Sequence, residues 1–128
     1  MKLANASGKR ILVVEDEPVI GRVCLRTLTA EGLEVDIASN GLVAKDMVSK
    51  KEYDLCLIDI RTPAMNGIQL YEHLKEEHPE LASRAIFTTG DVLSGNIQAF
   101  LRDSAKPYLP KPFTPDELRA AVREALGK

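Results

Sequence analysis

The sequence has little of what would tie a protein to a membrane, a nucleic acid or an oxidising compartment. No apolar run is long enough to cross a bilayer. Met1 to Lys9 lacks the apolar centre of a signal peptide, so residues 1–8 read as a polar leader and a cytoplasmic location is expected. The formal net charge is only −2, which argues against a general binder of nucleic acid or anionic lipid. There are two cysteines and two histidines. Cys24 and Cys56 fall inside a predicted helix and a predicted strand, and read as small core hydrophobes in a reducing environment. His73 and His78 stand five apart, poor spacing for two ligands on one helix face, and read as surface residues. Internal repeats, low-complexity tracts and linkers are absent. The 128 residues therefore point to one domain, over 9–127, large enough to build its own core.

What is present is a regular alternation. Arg10 to Val14 is an apolar strand that runs into Glu15-Asp16-Glu17-Pro18, an acidic turn with Pro at a first helical position. The first helix extends to about Glu31, with Ile20, Cys24, Thr27 and Leu28 on one face, and Gly32 stops it. Leu33, Val35 and Ile37 alternate with Glu34 and Asp36, the pattern of an edge strand with one wet face. A second helix opens at Asn40-Gly41 and turns Ala44, Met47 and Val48 inward. Tyr53 to Asp59 is the most continuously apolar strand, as expected for one buried on both faces.

A third helix begins near Asn66-Gly67, buries Leu70, Tyr71 and Leu74, and ends before Pro79. Ala85 to Thr89 is the fourth strand. The fourth helix carries Leu93, Ile97, Phe100 and Leu101. Tyr108-Leu109 is a short fifth strand, placed at an edge because Pro110 cannot donate to a ladder. Thr114-Pro115-Asp116-Glu117 is a capping box, and the fifth helix buries Leu118, Ala121, Val122 and Ala125. Strict β–α alternation predicts an α/β, flavodoxin-like (βα)5 doubly wound parallel sheet. The two edge-like strands give the order 2-1-3-4-5. The last helix ends at the C-terminus, so no output domain is expected to follow.

In that topology the carboxyl ends of the strands meet at one rim, where open α/β sheets place their ligands. The rim collects Glu15 and Asp16 from the first strand, Asp59 from the third, Thr88 and Thr89 from the fourth, and Lys111 after the fifth. Three carboxylates together repel unless a cation joins them. Mg²⁺ is the natural choice, a hard ion satisfied by one or two carboxylates, a carbonyl and water. With it, Asp59 stays ionised and can attack phosphorus, while Lys111 and a Thr hydroxyl stabilise the transferred oxygens.

Val13-Val-Glu-Asp-Glu-Pro18, Leu57-Ile-Asp-Ile-Arg-Thr-Pro-Ala-Met-Asn-Gly67, Phe87-Thr-Thr-Gly-Asp91 and Tyr108-Leu-Pro-Lys-Pro-Phe113 stand in order, each at a strand end. Together they make the chain resemble the receiver domain of two-component response regulators over about residues 9–127. The Thr-Gly-Asp and Leu-Pro-Lys-Pro-Phe style is similar to receivers attached to hybrid sensor kinases. The resemblance implies that Asp59 is the phosphoacceptor. It implies that Glu15 and Asp16 are the acidic pair, with Asp16 a direct Mg²⁺ ligand beside Asp59 and the carbonyl of Arg61. It makes Thr89 the switch hydroxyl, Tyr108 the switch aromatic and Lys111 the phosphate-binding lysine, with a cis bond between Lys111 and Pro112. The implied partners are a histidine kinase or histidine phosphotransfer domain. A downstream effector or second copy would then read the face of the fourth helix, fifth strand and fifth helix.

Three positions depart from the family pattern. Glu15 stands where Asp is usual, Thr62 where Met precedes the proline, and Gly90 where Ala follows the Thr. Arg61 and Asp91 flank the approach of water to the phosphoryl group and are expected to pair as a gate. Gly90 leaves room beside Thr89. Three other functions compete. A haloacid dehalogenase-type phosphatase needs an acid at position 61, where Arg stands. A flavodoxin needs a phosphate loop where Glu15-Asp16-Glu17 would repel it. A receiver that only docks partners would not need the complete acid, Thr and Lys set. The chain is not expected to turn over a separate substrate.

Overall fold

The computed structural model describes residues 8–90 and 94–127. The strands are β1 (Arg10–Val14), β2 (Glu34–Ala38), β3 (Leu55–Asp59), β4 (Ala85–Thr89) and β5 (Tyr108–Pro110). The helices are α1 (Pro18–Thr29), α2 (Gly41–Lys50), α3 (Gly67–Glu77), α4 (Pro79–Ala82), α5 (Gly95–Ser104) and α6 (Pro115–Leu126). All strands are parallel, in the order β2-β1-β3-β4-β5. That is the predicted sheet. The four-residue α4 is an addition, so the expected fourth and fifth helices are α5 and α6.

The period of two within the strands divides the core. Leu12, Val14, Cys56, Ile58 and Phe87 face the layer of α2, α3, α4 and α5. Ile11, Val13, Leu55, Leu57 and Ile86 face α1 and α6. Each large aliphatic side chain so buried contributes about 1.5–3 kcal/mol. Phe87 also meets Tyr71 at 5.1 Å and Phe100 at 4.9 Å between ring centroids, both edge-on. Cys24 and Cys56 are free and buried, as expected. Burial pushes the Cys24 thiol up to about 12.

Local chemistry sets the helix ends. Asn66 and Gln69 form a reciprocal capping box at α3, and Thr114 and Glu117 another at α6. Gly32, at φ +90°, turns the chain after α1. A Cβ on Gly67 would lie 2.7 Å from the Asp59 carbonyl oxygen and from the Ile60 Cα, so only glycine lets α3 start against the end of β3. Two expectations need correction. Ile37 keeps the inward side of β2, in register with Val13 and against Gly21 of α1, but it is 37% exposed because the strand is at the sheet edge and a glycine gives it little cover. His73 and His78 are half-buried, with ring centroids 5.9 Å apart. The chain leaves helical geometry at His78 (φ −141°, ψ 62°), which defeats the five-residue spacing. Among the described residues no helix is long and apolar enough to cross a membrane.

Candidate functional site

Asp59 is the last residue of β3, the central strand, and is 4% exposed. Its Oδ1 accepts the Arg61 backbone N–H at 3.1 Å. Glu15 follows β1, tied down by its N–H to the Ala38 carbonyl at 2.9 Å, and is buried as well. Thr88 and Thr89 end β4 and are both buried. The Lys111 N–H donates to the Thr89 carbonyl at 2.9 Å, which carries the β4–β5 ladder one step past the strand. The Lys111–Pro112 peptide bond is cis.

Lys111 sends its ammonium back into the rim. Nζ lies 2.8 Å from Glu15, 3.0 Å from Asp59 Oδ2 and 3.3 Å from Glu17. The lysine side chain is 12% exposed. Burial works to lower its pKa, but hydrogen bonds to Glu15 and Asp59 overcome this and hold it above the ordinary lysine value. Glu15 moves up instead. Burial is the largest cause, and it outweighs the hydrogen bonds from Lys111 and the Glu17 N–H.

Oxygens of Glu15, Glu17 and Asp59 all lie within 4.8 Å of one another. Such an all-oxygen, anionic set fits a hard divalent cation. Glu17 is a member that the sequence did not single out; three consecutive acids do not reveal which side chain curls inward. Asp16 sits next to the cluster in sequence and is exposed. Tyr108 is 46% exposed on β5. Thr62 is buried and its hydroxyl donates to the Met65 carbonyl at 2.9 Å, so its departure from the family pattern stabilises the loop after β3. A Cβ on Gly90 would come only within 4.0 Å of the Lys111 Cβ, which leaves open space there. Asp91, half of the expected gate with Arg61, lies outside the described residues.

The sequence pattern of the response regulator receiver domain matches residues 11–123. The chain belongs to that family. The receiver is 37% identical over 122 residues to the transcriptional regulatory protein TcrA of Mycobacterium tuberculosis, an alignment covering 93% of this chain and 46% of TcrA. It spans about half the length of the curated relatives it matches. Among solved structures it resembles a CheY-like receiver domain protein of Methanospirillum hungatei JF-1, at TM-score 0.85 and 30% identity over 94% of this chain and 95% of that one. It also resembles the receiver domain of the sensor histidine kinase PA1611 of Pseudomonas aeruginosa PAO1, at TM-score 0.84 and 28% identity over 95% of this chain and all of that one. The PA1611 receiver was crystallised with a magnesium ion coordinated in its active-site cleft.

Proposed function

We propose that this receiver accepts a phosphoryl group on Asp59 from a phosphohistidine of a histidine kinase or histidine phosphotransfer domain, in the cytoplasm. The observation that carries this reading is the nearly buried Asp59 carboxylate with the Lys111 ammonium 3.0 Å away. In the transfer an Asp59 oxygen forms a bond to phosphorus as the phosphorus–nitrogen bond to imidazole breaks. The electron pair stays on the imidazole nitrogen. Lys111 neutralises the incoming phosphoryl oxygens, and the Thr89 hydroxyl donates to one of them. Glu15, Asp16, Asp59 and the Arg61 carbonyl would hold Mg²⁺, with the Glu17 carboxylate close enough to share in it. The ion would supply charge neutralisation on the transferred oxygens. The chain acts on itself, catalysing its own phosphorylation and dephosphorylation.

The output rests on Thr89 and Tyr108. When Thr89 moves toward the phosphoryl group, the exposed Tyr108 ring turns in, and the α5, β5 and α6 face changes for an effector or a second copy. The test is intact mass after treatment with a small acyl phosphate, with and without Mg²⁺. Wild type should gain one phosphoryl group with Mg²⁺ and none without it, and Asp59→Asn should gain none. A wild-type gain in the Asn variant would move the acceptor elsewhere.

A further inference from the structure

An ammonium group has three N–H donors. In this receiver the Lys111 ammonium has three carboxylate partners, Glu15 at 2.8 Å, Asp59 at 3.0 Å and Glu17 at 3.3 Å. A phosphoryl oxygen that reaches Lys111 must displace one of them. Glu15 and Asp59 are nearly buried, and each also accepts a backbone N–H, from Glu17 and Arg61 respectively. Glu17 differs in every respect. Its side chain is 60% exposed and makes the longest of the three contacts. It precedes α1 as the N-cap but makes no side-chain cap bond, so the helix does not depend on where it points. Its carboxylate can swing into water at little cost.

We propose that Glu17 is a positioning residue that acts through Lys111. It is an internal anion that occupies the third lysine donor at rest and yields it to the phosphoryl oxygens. The proposal rests on the phosphoacceptor reading of Asp59. Glu17 then has two opposed effects. As a competing anion, it weakens the capture of an incoming phosphoryl group. As a third carboxylate within 4.8 Å of Glu15 and Asp59, it strengthens the hold on a divalent cation. A residue that only supported the fold would move both affinities the same way.

The test compares wild type, Glu17→Gln and Glu17→Asp, with Asp59→Asn as control, by amide NMR titration. Mg²⁺ alone is added first, then beryllofluoride at saturating Mg²⁺. For Glu17→Gln the Mg²⁺ midpoint should rise about three- to tenfold. Its beryllofluoride midpoint should fall about two- to fivefold, the scale of an exposed ion pair. Glu17→Asp keeps the charge and should lie between the two. With a small acyl phosphate at saturating Mg²⁺, the apparent KM of Glu17→Gln should fall by the same factor. An unchanged or raised beryllofluoride midpoint in Glu17→Gln, while wild type binds normally, overturns the proposal. If wild type itself does not bind beryllofluoride, the Asp59 reading fails and this one with it.

Discussion

Lys111 and Lys51 both sit among acids, yet Glu15 beside the first and Asp36 beside the second shift in opposite directions. Lys111 follows β5 at the carboxyl ends of the strands, is 12% exposed and faces three carboxylates. Lys51 precedes β3, is 41% exposed, and meets one carboxylate, Asp36, at 2.9 Å; the Tyr53 hydroxyl donates to the same oxygen at 2.7 Å. Asp36 has its pKa lowered, chiefly by the hydrogen bond from Lys51 and then by that from Tyr53. Glu15 has its pKa raised, chiefly by burial. One region is balanced and wet. In the other, the nearly buried Glu15 and Asp59 share one ammonium, a formal excess of one negative charge, and the exposed Glu17 adds a second at the surface. Uncompensated buried charge is costly, and its presence at the rim supports the proposed chemistry there.

The largest effect should come from deleting each lysine. Lys111→Ala leaves Glu15 and Asp59 facing each other without a cation, and should lose about 3 kcal/mol of metal-free stability at pH 7. The loss should shrink as pH falls toward 5, because Glu15, already held above its ordinary value by burial, takes up a proton once the lysine is gone. Lys51→Ala breaks a part-exposed pair and should lose less than about 1 kcal/mol. Urea denaturation of the two variants decides it. Equal losses would erase the distinction between the regions.

The rim was legible because each of its residues ends an apolar run, and parallel alternation brings those ends together. The sequence alone places Asp59, Glu15, Thr89 and Lys111 in this way. The balanced region was not legible, since Asp36 and Lys51 stand on an edge strand and in a connecting loop, where no periodicity links them. Glu17 was missed because it stands third in an acidic run whose side-chain directions depend on the turn into α1. The short α4 was missed because four residues that open on a proline carry no 3.6-residue pattern. The inward side of β2 was legible in its period of two, but the exposure of Ile37 was not, because the alternation does not show that a glycine on α1 leaves an edge residue half covered.

A sharper comparison makes the same change in both regions. Asp59→Asn removes one of the crowded carboxylates and should raise metal-free stability by about 1 kcal/mol. Asp36→Asn removes the acceptor charge of a balanced pair and should lower stability by about 1 kcal/mol. Thermal unfolding at pH 7 in a chelator gives both signs at once. Two losses would mean that Lys111 already compensates the rim.

The smallest effect isolates how Asp36 is held. A carboxylate whose folded pKa is depressed stabilises the fold above its unfolded pKa, about 3.9, and loses that contribution as pH falls through the folded value. Tyr53→Phe deletes the second of the two hydrogen bonds that depress Asp36. It should therefore lose about 0.5–1 kcal/mol at pH 5, the range of a single hydrogen bond on a part-exposed acceptor, and less than half of that at pH 3. The phenol itself does not titrate in this window, since burial and then the bond to Asp36 push its pKa upward. Glu15 works against Asp36: its raised pKa is a penalty at neutral pH that is relieved as pH falls through the folded value toward 4.5. That term is common to wild type and Tyr53→Phe, so it cancels in their difference. Urea midpoints for the two proteins at pH 5 and pH 3 therefore report on Asp36 alone. If the difference is the same at both pH values, Tyr53 stabilises by packing, and the contrast between the two regions rests on Lys51 without it.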